Sequence, residues 1–546
     1  MLFCTSKLKF SMKITKKVLL NDWISYHPYQ QADSCDLYYF DLCKKVHEII
    51  EADSTIRKEF LSGAEAVSLT CLLVGYFEDV ISQTRVWKTF TETHEALYHT
   101  PLPFYFPKEY FEDEINQEDV FFLIWYYLSV LYSGRKLFSP DSPAIKKLGN
   151  QIFETFEVEY EFAPENDRLK DFLSIPPEED DYYHIREKVQ WVALDSWLFH
   201  SLRKECDQKI KEQNIRILDR GLKSLRKELS YDIIDTFTMN RYLPLFALKG
   251  KDWLAGIIGE SHPQYRDIKN LTPRKTGVFL YLDINAEFIS MQHLATGKII
   301  GVTRKSIEQD PGFKPGETTV LAGLVKWKDE WWLSGMMSVL ENKDRIVEKE
   351  KKNMESLYFF DDLTERKKEA LKLQYKVFLE YNEGSSIVFL RGKESVEGFI
   401  EDWIAYFTAS LQLPPEEIEA SQKKAASMNF GKKMDADILR TMPGQALLAW
   451  FNPEAGLEFL YGFNEIIPDK NNPWYKREAR FAEVIYLLIA DSSGAELTRF
   501  LLSNYDMPQP YFPGERGHQL MKNNFDFILR FYKKDEYHSS PRLAMV

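Results

Sequence analysis

The sequence predicts a multidomain α+β protein with an all-α N-terminal domain, a small SH3-like or OB-like β-barrel and a mixed α+β C-terminal domain. Helical periodicity runs almost without interruption from Asp33 to about Phe246. A block of short β-type runs extends from Gly277 to roughly Ile346, and strands and helices alternate after it. We therefore expect an all-α domain at 12–250, a small β-barrel at 270–346, a helical connector at 347–384 and an α+β domain at 385–546.

Length and composition agree with several folded domains. The chain has 546 residues, of which 44% are hydrophobic and 14% aromatic, so each domain can bury its own core. The formal net charge is −13 at pH 7. This balance argues against a protein whose main task is to grip nucleic acid, because phosphate binding needs positively charged faces.

The first predicted domain is a series of helices separated by proline-marked loops. One run, Phe121 to Tyr132, is apolar at every position except Ser129. As a helix it would span roughly 18 Å, well short of the ~30 Å hydrocarbon core of a bilayer, so it predicts a buried core helix and no membrane association. The candidate helices are Asp36 to Glu51, Ala64 to Ser82, Val86 to Tyr98, Glu118 to Tyr132, Pro143 to Glu157, His184 to Arg203 and a long charged helix through Ser230.

The charged segment Arg203 to Glu228 holds nine Lys or Arg against five Asp or Glu. A basic helix could contact nucleic acid, but mixed charge on a helix is more typical of a solvated face. Gly221 weakens the helix by about 1 kcal/mol relative to alanine, which suggests a break there.

The β-type block predicts five strands with Gly or Asp turns between them. Trp331 and Trp332 are adjacent, so their side chains must point to opposite faces of one strand. Together with Trp327 they form a candidate binding cluster for a protein or peptide, and packing against another domain is the alternative. The predicted strands are Gly277 to Leu282, Glu287 to His293, Lys298 to Thr303, Thr318 to Lys328 and Glu330 to Val339.

The C-terminal part predicts a strand at Ser386 to Arg391, a helix at Ser395 to Leu411, a hairpin of Ala446 to Phe451 with Leu457 to Tyr461, and two further helices. The loop Tyr511 to His518 joins Pro, Gly and chargeable groups. Loops of this kind can present a general base or an anion site, so Glu515, Arg516 and His518 are candidate catalytic residues of a hydrolase. The alternative is a proline-shaped surface turn.

Motifs for common cofactors and metals are absent from the sequence. It contains no P-loop, no dinucleotide fingerprint, no HExxH, no GxSxG and no CxxC pair, so we predict no cofactor and no metal site. The odd number of cysteines and the lack of a secretory h-region favour a reducing cytoplasm. Either Met1 or Met12 could be the start. The cysteines are Cys4, Cys35, Cys43, Cys71 and Cys206.

Four strings of this sequence resemble a family of uncharacterised bacterial proteins known as a domain of unknown function. The strings are Glu118 to Leu128, Ala163 to Leu169, Trp331 to Gly335 and Asn524 to Arg530. The resemblance implies no activity, ligand or catalytic residue. From the residues themselves we predict a protein- or peptide-binding scaffold, with a hydrolase centred on Glu515, Arg516 and His518 as the alternative.

Overall fold

A computed structural model describes residues 16–133, 136–219, 226–307, 310, 312–340, 343–351, 353–357, 359–360, 364–414, 416–419, 446–477, 481–509 and 512–538. Met1, Cys4 and Met12 lie outside them. The chain divides into two compact units. The helical unit comprises Met1–Leu222, Ile233–Leu271 and Tyr511–Phe527, and the mixed unit comprises Lys223–Asp232, Thr272–Pro510 and Ile528–Val546. The domain limits given above remain predictions.

The helical unit confirms the helices expected before residue 184. The single helix expected from His184 to Arg203 is wrong, because one α-helix ends at Gln190, a π-helical turn covers Trp191–Asp195 and the next α-helix begins at His200. Asp33 caps the second of them, because its side chain accepts hydrogen bonds from the backbone N–H groups of Cys35 and Asp36. The long charged helix ends at Asp219, and the next helix begins at Arg226. The helices are α1 (Leu20–Ile24), α2 (Ser34–Ala52), α3 (Ile56–Phe60), α4 (Gly63–Ser82), α5 (Val86–Tyr98), α6 (Gln117–Leu131), α7 (Pro143–Glu159), α8 (Asp167–Leu173), α9 (Tyr182–Gln190), α10 (His200–Asp219), α11 (Arg226–Asn240), α12 (Gly250–Ile258) and α13 (Tyr265–Asn270).

The apolar run within α6 lies in the core of the helical unit, as predicted. Every residue from Val120 to Tyr126 is buried. Close packing with α7 depends on Gly149, since a Cβ atom at this position would overlap the ring of Phe121. Within the described part of the chain, no helix is both long and apolar enough to cross a membrane.

The mixed unit begins with a five-stranded sheet that closes on itself. Its strand order is β1-β2-β3-β5-β4, and β4 also pairs with β1. All pairs are antiparallel except β3 with β5, which meet in parallel at Val302 and Trp331. The observed ends lie within two residues of the predicted ones. The strands are β1 (Lys275–Ile284), β2 (Phe288–His293), β3 (Ile299–Thr303), β4 (Thr319–Trp327) and β5 (Glu330–Leu340).

A buried arginine just before β1, Arg274, makes hydrogen bonds to β5 and to Asp232. The Nε of Arg274 donates to the carbonyl of Ser334 at 3.1 Å, and Nη2 donates to Asp232 Oδ1 at 2.6 Å. The guanidinium occupies the space beside Gly323, where any Cβ atom would overlap it. The strand register shifts between Ala322 and Leu324, so the glycine marks a bulge that lets the arginine approach the backbone.

The two adjacent tryptophans point to opposite faces of β5, as strand geometry requires. Trp331 is half-buried and packs against the interior cluster of the closed sheet, which includes Val302 and Leu333. Trp332 faces the other way, yet it is fully buried. The outer face of β5 is therefore covered at this position.

The rest of the mixed unit has three layers. The sheet β6-β7-β8 is antiparallel, and the β7–β8 hairpin confirms the prediction. Leu447 and Phe451 face a cluster with α16 and α17, whereas Leu448 and Trp450 face one with α18 and α19. The elements are α14 (Lys343–Glu350), α15 (Met354–Leu357), α16 (Thr364–Tyr381), β6 (Ile387–Arg391), α17 (Gly392–Ser410), β7 (Ala446–Asn452), β8 (Gly456–Tyr461), α18 (Phe481–Ile489) and α19 (Ala495–Asn504).

The prediction of a loop from Tyr511 to His518 is wrong from Glu515 onward. A helix, α20 (Glu515–Asn523), begins at Glu515, and α21 (Phe525–Tyr532) follows it. Gly514 precedes the helix with a φ of 83°, which glycine adopts without strain. The proline and glycine residues therefore mark a helix start, with Glu515 as an acid in the first turn.

Candidate functional site: a buried histidine and two carboxylates

Three chargeable side chains converge inside the helical unit. His27 follows α1, Asp36 lies in the first turn of α2, and Glu78 lies near the end of α4. Each offers one potential metal-ligand atom, and these three atoms lie within 4.8 Å of one another. The residues are 8%, 0% and 2% exposed. Chargeable groups are seldom buried together unless they pair, bind a metal or act chemically.

The cap of α2 fixes the position of Asp36. Its Oδ2 accepts a hydrogen bond from the backbone N–H of Asp33 at 3.0 Å, completing a capping box, and its Oδ1 accepts one from the hydroxyl of Tyr29 at 3.0 Å. Burial raises the pKa of Asp36 above its ordinary value, although these hydrogen bonds and the charge of His27 oppose the shift. The carboxylate is therefore held in one orientation.

His27 and Glu78 form a direct contact, with Nε2 and Oε2 2.9 Å apart. The other ring nitrogen, Nδ1, lies 3.3 Å from the carbonyl oxygen of Trp23. Burial by itself lowers the pKa of His27, but the charge and hydrogen bond of Glu78 outweigh it, so the pKa is raised from its ordinary value. In the absence of a metal, the pair therefore favours an imidazolium beside a carboxylate.

Asn166, just before α8, and Arg168, in the first turn of α8, connect this cluster to the surface. Asn166 Nδ2 donates to Glu78 Oε1 at 2.8 Å, while its Oδ1 caps α8 by accepting from the N–H of Leu169. The guanidinium of Arg168 stacks on the ring of Tyr29 at 3.6 Å, and its Nη1 lies 3.7 Å from Asp36 Oδ2. The cluster is thus one side chain away from solvent.

Asn166 and Arg168 also line a surface cavity of about 480 Å³. Three acidic residues, Asp33, Glu165 and Asp167, share its wall with a single arginine. Phe162 stands at the wall with 75% of its surface exposed. The remaining lining residues are Ser34, Cys35, Tyr38 and Pro164.

The predicted catalytic residues Glu515, Arg516 and His518 are all exposed on the first turn of α20. The Nδ1 of His518 lies 2.9 Å from the carbonyl of Gly514, and Arg516 Nε lies 3.3 Å from Asp141 Oδ2. The hydrolase assignment stays a prediction.

The three tryptophans predicted to bind a partner do not line an exposed groove. Trp327 and Trp332 are 1% and 0% exposed, and Trp331 is half-buried against the interior of the closed sheet. The side chains of the basic segment are described only up to Arg216, and in that part Arg203 pairs with Asp195 while Cys206 is buried. The burial of Trp327, Trp332 and Cys206 is typical of side chains that pack within the fold.

Sequence reasoning missed His27, Asp36 and Glu78. They stand far apart in the sequence and on separate elements, so no local spacing relates them. The one usable signal was the cap at Asp33, which predicts the helix start but not the neighbours of Asp36.

No curated protein matches this chain, and no solved structure matches it. Residues 17–279 match the model of a family described as "Protein of unknown function (DUF3843)". The match contains two of the four resembling strings, Glu118 to Leu128 and Ala163 to Leu169, together with the whole buried cluster. Residues 17–279 of this chain, which include His27, Asp36 and Glu78, are therefore similar to the DUF3843 family.

Proposed function

We propose that this chain is a protein- or peptide-binding scaffold whose cavity at the starts of α2 and α8 receives a positively charged segment of a partner. The observation that carries the proposal is the acidic cavity with an exposed aromatic residue on its wall. Phe162 exposes 75% of its surface beside three carboxylates. An aromatic ring next to acids suits a lysine or arginine side chain, which offers both a charge and an apolar stem.

The charges around the cavity support a cationic ligand. Glu165 is paired with Lys170, and Asp33 is engaged by Arg168 and by the cap of α2, but Asp167 adds a further carboxylate. The whole chain carries a net charge of −13, which steers basic partners toward it.

Exposed apolar side chains continue away from the cavity. Leu37 on α2 is 50% exposed, and Val158 on α7 is 68% exposed. Their neighbours Tyr38 and Glu159 touch, since the tyrosine hydroxyl donates to Glu159 Oε2 at 2.8 Å. Leu37 is therefore next in sequence to a residue of the cavity wall, Tyr38, and Val158 is next to a residue that contacts it; exposed apolar residues are typical of contact surfaces.

We also propose that the closed five-stranded sheet is a small barrel of OB-like type in a cytoplasmic, multidomain protein. A five-stranded Greek-key closure with parallel third and fifth strands supports this assignment. OB-folds bind on the face of strands two and three, where Ile299 is 60% exposed. The four free cysteines among the described residues fit a reducing compartment.

The test is fluorescence anisotropy of the full chain with two labelled peptides that share aromatic content, one rich in lysine and one rich in glutamate. We expect the lysine peptide to bind more tightly, and Phe162→Ala to weaken it by about tenfold, the effect of losing roughly 1.4 kcal/mol. Tyr486→Ala is the matched control, because Tyr486 is also an exposed aromatic, 50% accessible, and lies in the other unit. Equal binding of both peptides, or equal weakening by both substitutions, would overturn the proposal.

A further inference from the structure

The buried cluster has the donor set of a transition-metal site. One imidazole and two carboxylates are ligands that suit first-row divalent ions, whereas Mg²⁺ and Ca²⁺ prefer oxygen alone. The three side chains come from separate parts of the helical unit and point to one spot. We propose that His27 Nε2 and the carboxylates of Asp36 and Glu78 bind a divalent first-row transition-metal ion such as Zn²⁺.

The distances are compatible with coordination. Metal–nitrogen and metal–oxygen bonds of roughly 2.0–2.2 Å place two adjacent ligand atoms about 3 Å apart when they meet near a right angle. The separation of His27 Nε2 and Glu78 Oε2 is 2.9 Å. All three ligand atoms lie within 4.8 Å of one another, so an ion shared by them draws the Asp36 carboxylate slightly closer to the other two ligands while its outer hydrogen bonds keep its orientation.

The groups around the cluster provide the outer hydrogen bonds that metal ligands usually have. His27 directs Nδ1 to the carbonyl of Trp23 at 3.3 Å, which leaves the lone pair of Nε2 facing the carboxylates. Each carboxylate is also oriented from outside the ligand set, Asp36 by Tyr29 and Glu78 by Asn166. A simple buried ion pair needs only the contact between His27 and Glu78.

Charge balance gives a second reason. When the ion binds, it displaces the proton from His27 Nε2, and the neutral imidazole and two carboxylates then carry two negative charges, which a divalent ion neutralises at the centre. The cation of Arg168 lies outside this set, since its Nη1 is 3.7 Å from Asp36 and also contacts Asp33. Three protein ligands would leave at least one coordination position open.

The test uses the purified full chain, stripped with EDTA, dialysed and titrated with Zn²⁺. We expect one tightly bound ion per chain and a rise in melting temperature of about 5 °C in excess metal. His27→Gln and Glu78→Gln should each weaken binding by about a hundredfold or more, because removing a ligand costs more than the roughly 10–100-fold lost with an outer hydrogen-bond partner. Co²⁺ in place of Zn²⁺ should give visible absorption without a thiolate charge-transfer band, which excludes the cysteines as ligands.

The matched control is His184→Gln. His184 is exposed and contacts Glu179 at 3.1 Å, so it reproduces the histidine–carboxylate chemistry on the surface. Its substitution should change neither stoichiometry nor affinity. The proposal is overturned if the wild-type chain binds no ion and its melting temperature ignores Zn²⁺, a result that does not depend on whether a variant folds. Equal loss of binding in His184→Gln would equally refute it.

Discussion

Replacing Trp332 with alanine distinguishes a packing role from a partner-anchoring role. The side chain faces away from the interior of the closed sheet, yet it is 0% exposed. Burying a tryptophan removes roughly 150–250 Å² from water, which at about 25 cal/mol per Å² stabilises the fold by about 4–6 kcal/mol as an upper limit. We expect Trp332→Ala to cost about 3–5 kcal/mol in free energy of unfolding.

Thermal unfolding of the full chain is measured by calorimetry. For a unit of more than two hundred residues, each kcal/mol lowers the melting temperature by about 2–4 °C, so the sheet-containing transition should fall by about 6–20 °C. Trp331→Ala should cost less, because its ring is half-buried to begin with. Tyr486→Ala, an exposed aromatic of the same unit, should leave the transition within about 1 °C.

An unchanged melting temperature in Trp332→Ala, together with lost peptide binding, would contradict this reasoning. It would mean that the ring is buried only in one state of the protein and anchors a partner in another. A lowered melting temperature with unchanged peptide binding would instead assign the tryptophan cluster to packing, against the binding role predicted from the sequence.

Three further predictions concern the cores. Leu123→Asp places an unpaired charge in the interior of α6 and should destabilise the helical unit by several kcal/mol, measured by urea unfolding; a loss below about 1 kcal/mol would show that the site is solvated. Gly323→Ala introduces a Cβ atom that overlaps Arg274 and should destabilise the closed sheet. Gly398 lies in α17 with open space around it, so Gly398→Ala should stabilise the helix by about 0.5–1 kcal/mol. Equal effects of the two substitutions would contradict the close approach of Arg274 to Gly323. Burial lowers the pKa of His94 to about 4, so the unfolded chain binds more protons than the folded one between about pH 6.5 and 4, and stability falls on acidification across this window. His94→Gln should reduce the slope of unfolding free energy against pH by up to about 1.4 kcal/mol per pH unit. An unchanged slope would show that the imidazole is charged in the fold.

Local elements could be read from the sequence because their signals are local. The five strands of the closed sheet end within two residues of the predicted positions, since alternating apolar residues such as Val320, Ala322 and Leu324 and short Gly or Asp turns encode a strand directly. The core helix α6 followed from an apolar run that is too short for a membrane. The start of α20 was missed because Gly514 and Pro513 signal a turn and a helix start equally well.

The candidate site lay beyond such reasoning. Nothing in the spacing of His27, Asp36 and Glu78 relates them, because a helix or strand brings together only residues a few positions apart. Their meeting depends on how α1, α2 and α4 pack, and packing is set by the complementarity of whole faces. The burial of Trp332 has the same origin.

The sequence by itself therefore determined the mixed α+β character, the order of most elements and the similarity to a family, since composition and periodicity are properties of the chain. Only the tertiary structure decided which chargeable groups are buried together, which tryptophan rings are covered and where an acidic cavity opens. The physical reason is that burial, and with it the electrostatics of a site, arises from contacts between residues distant in sequence, and no local pattern records those contacts.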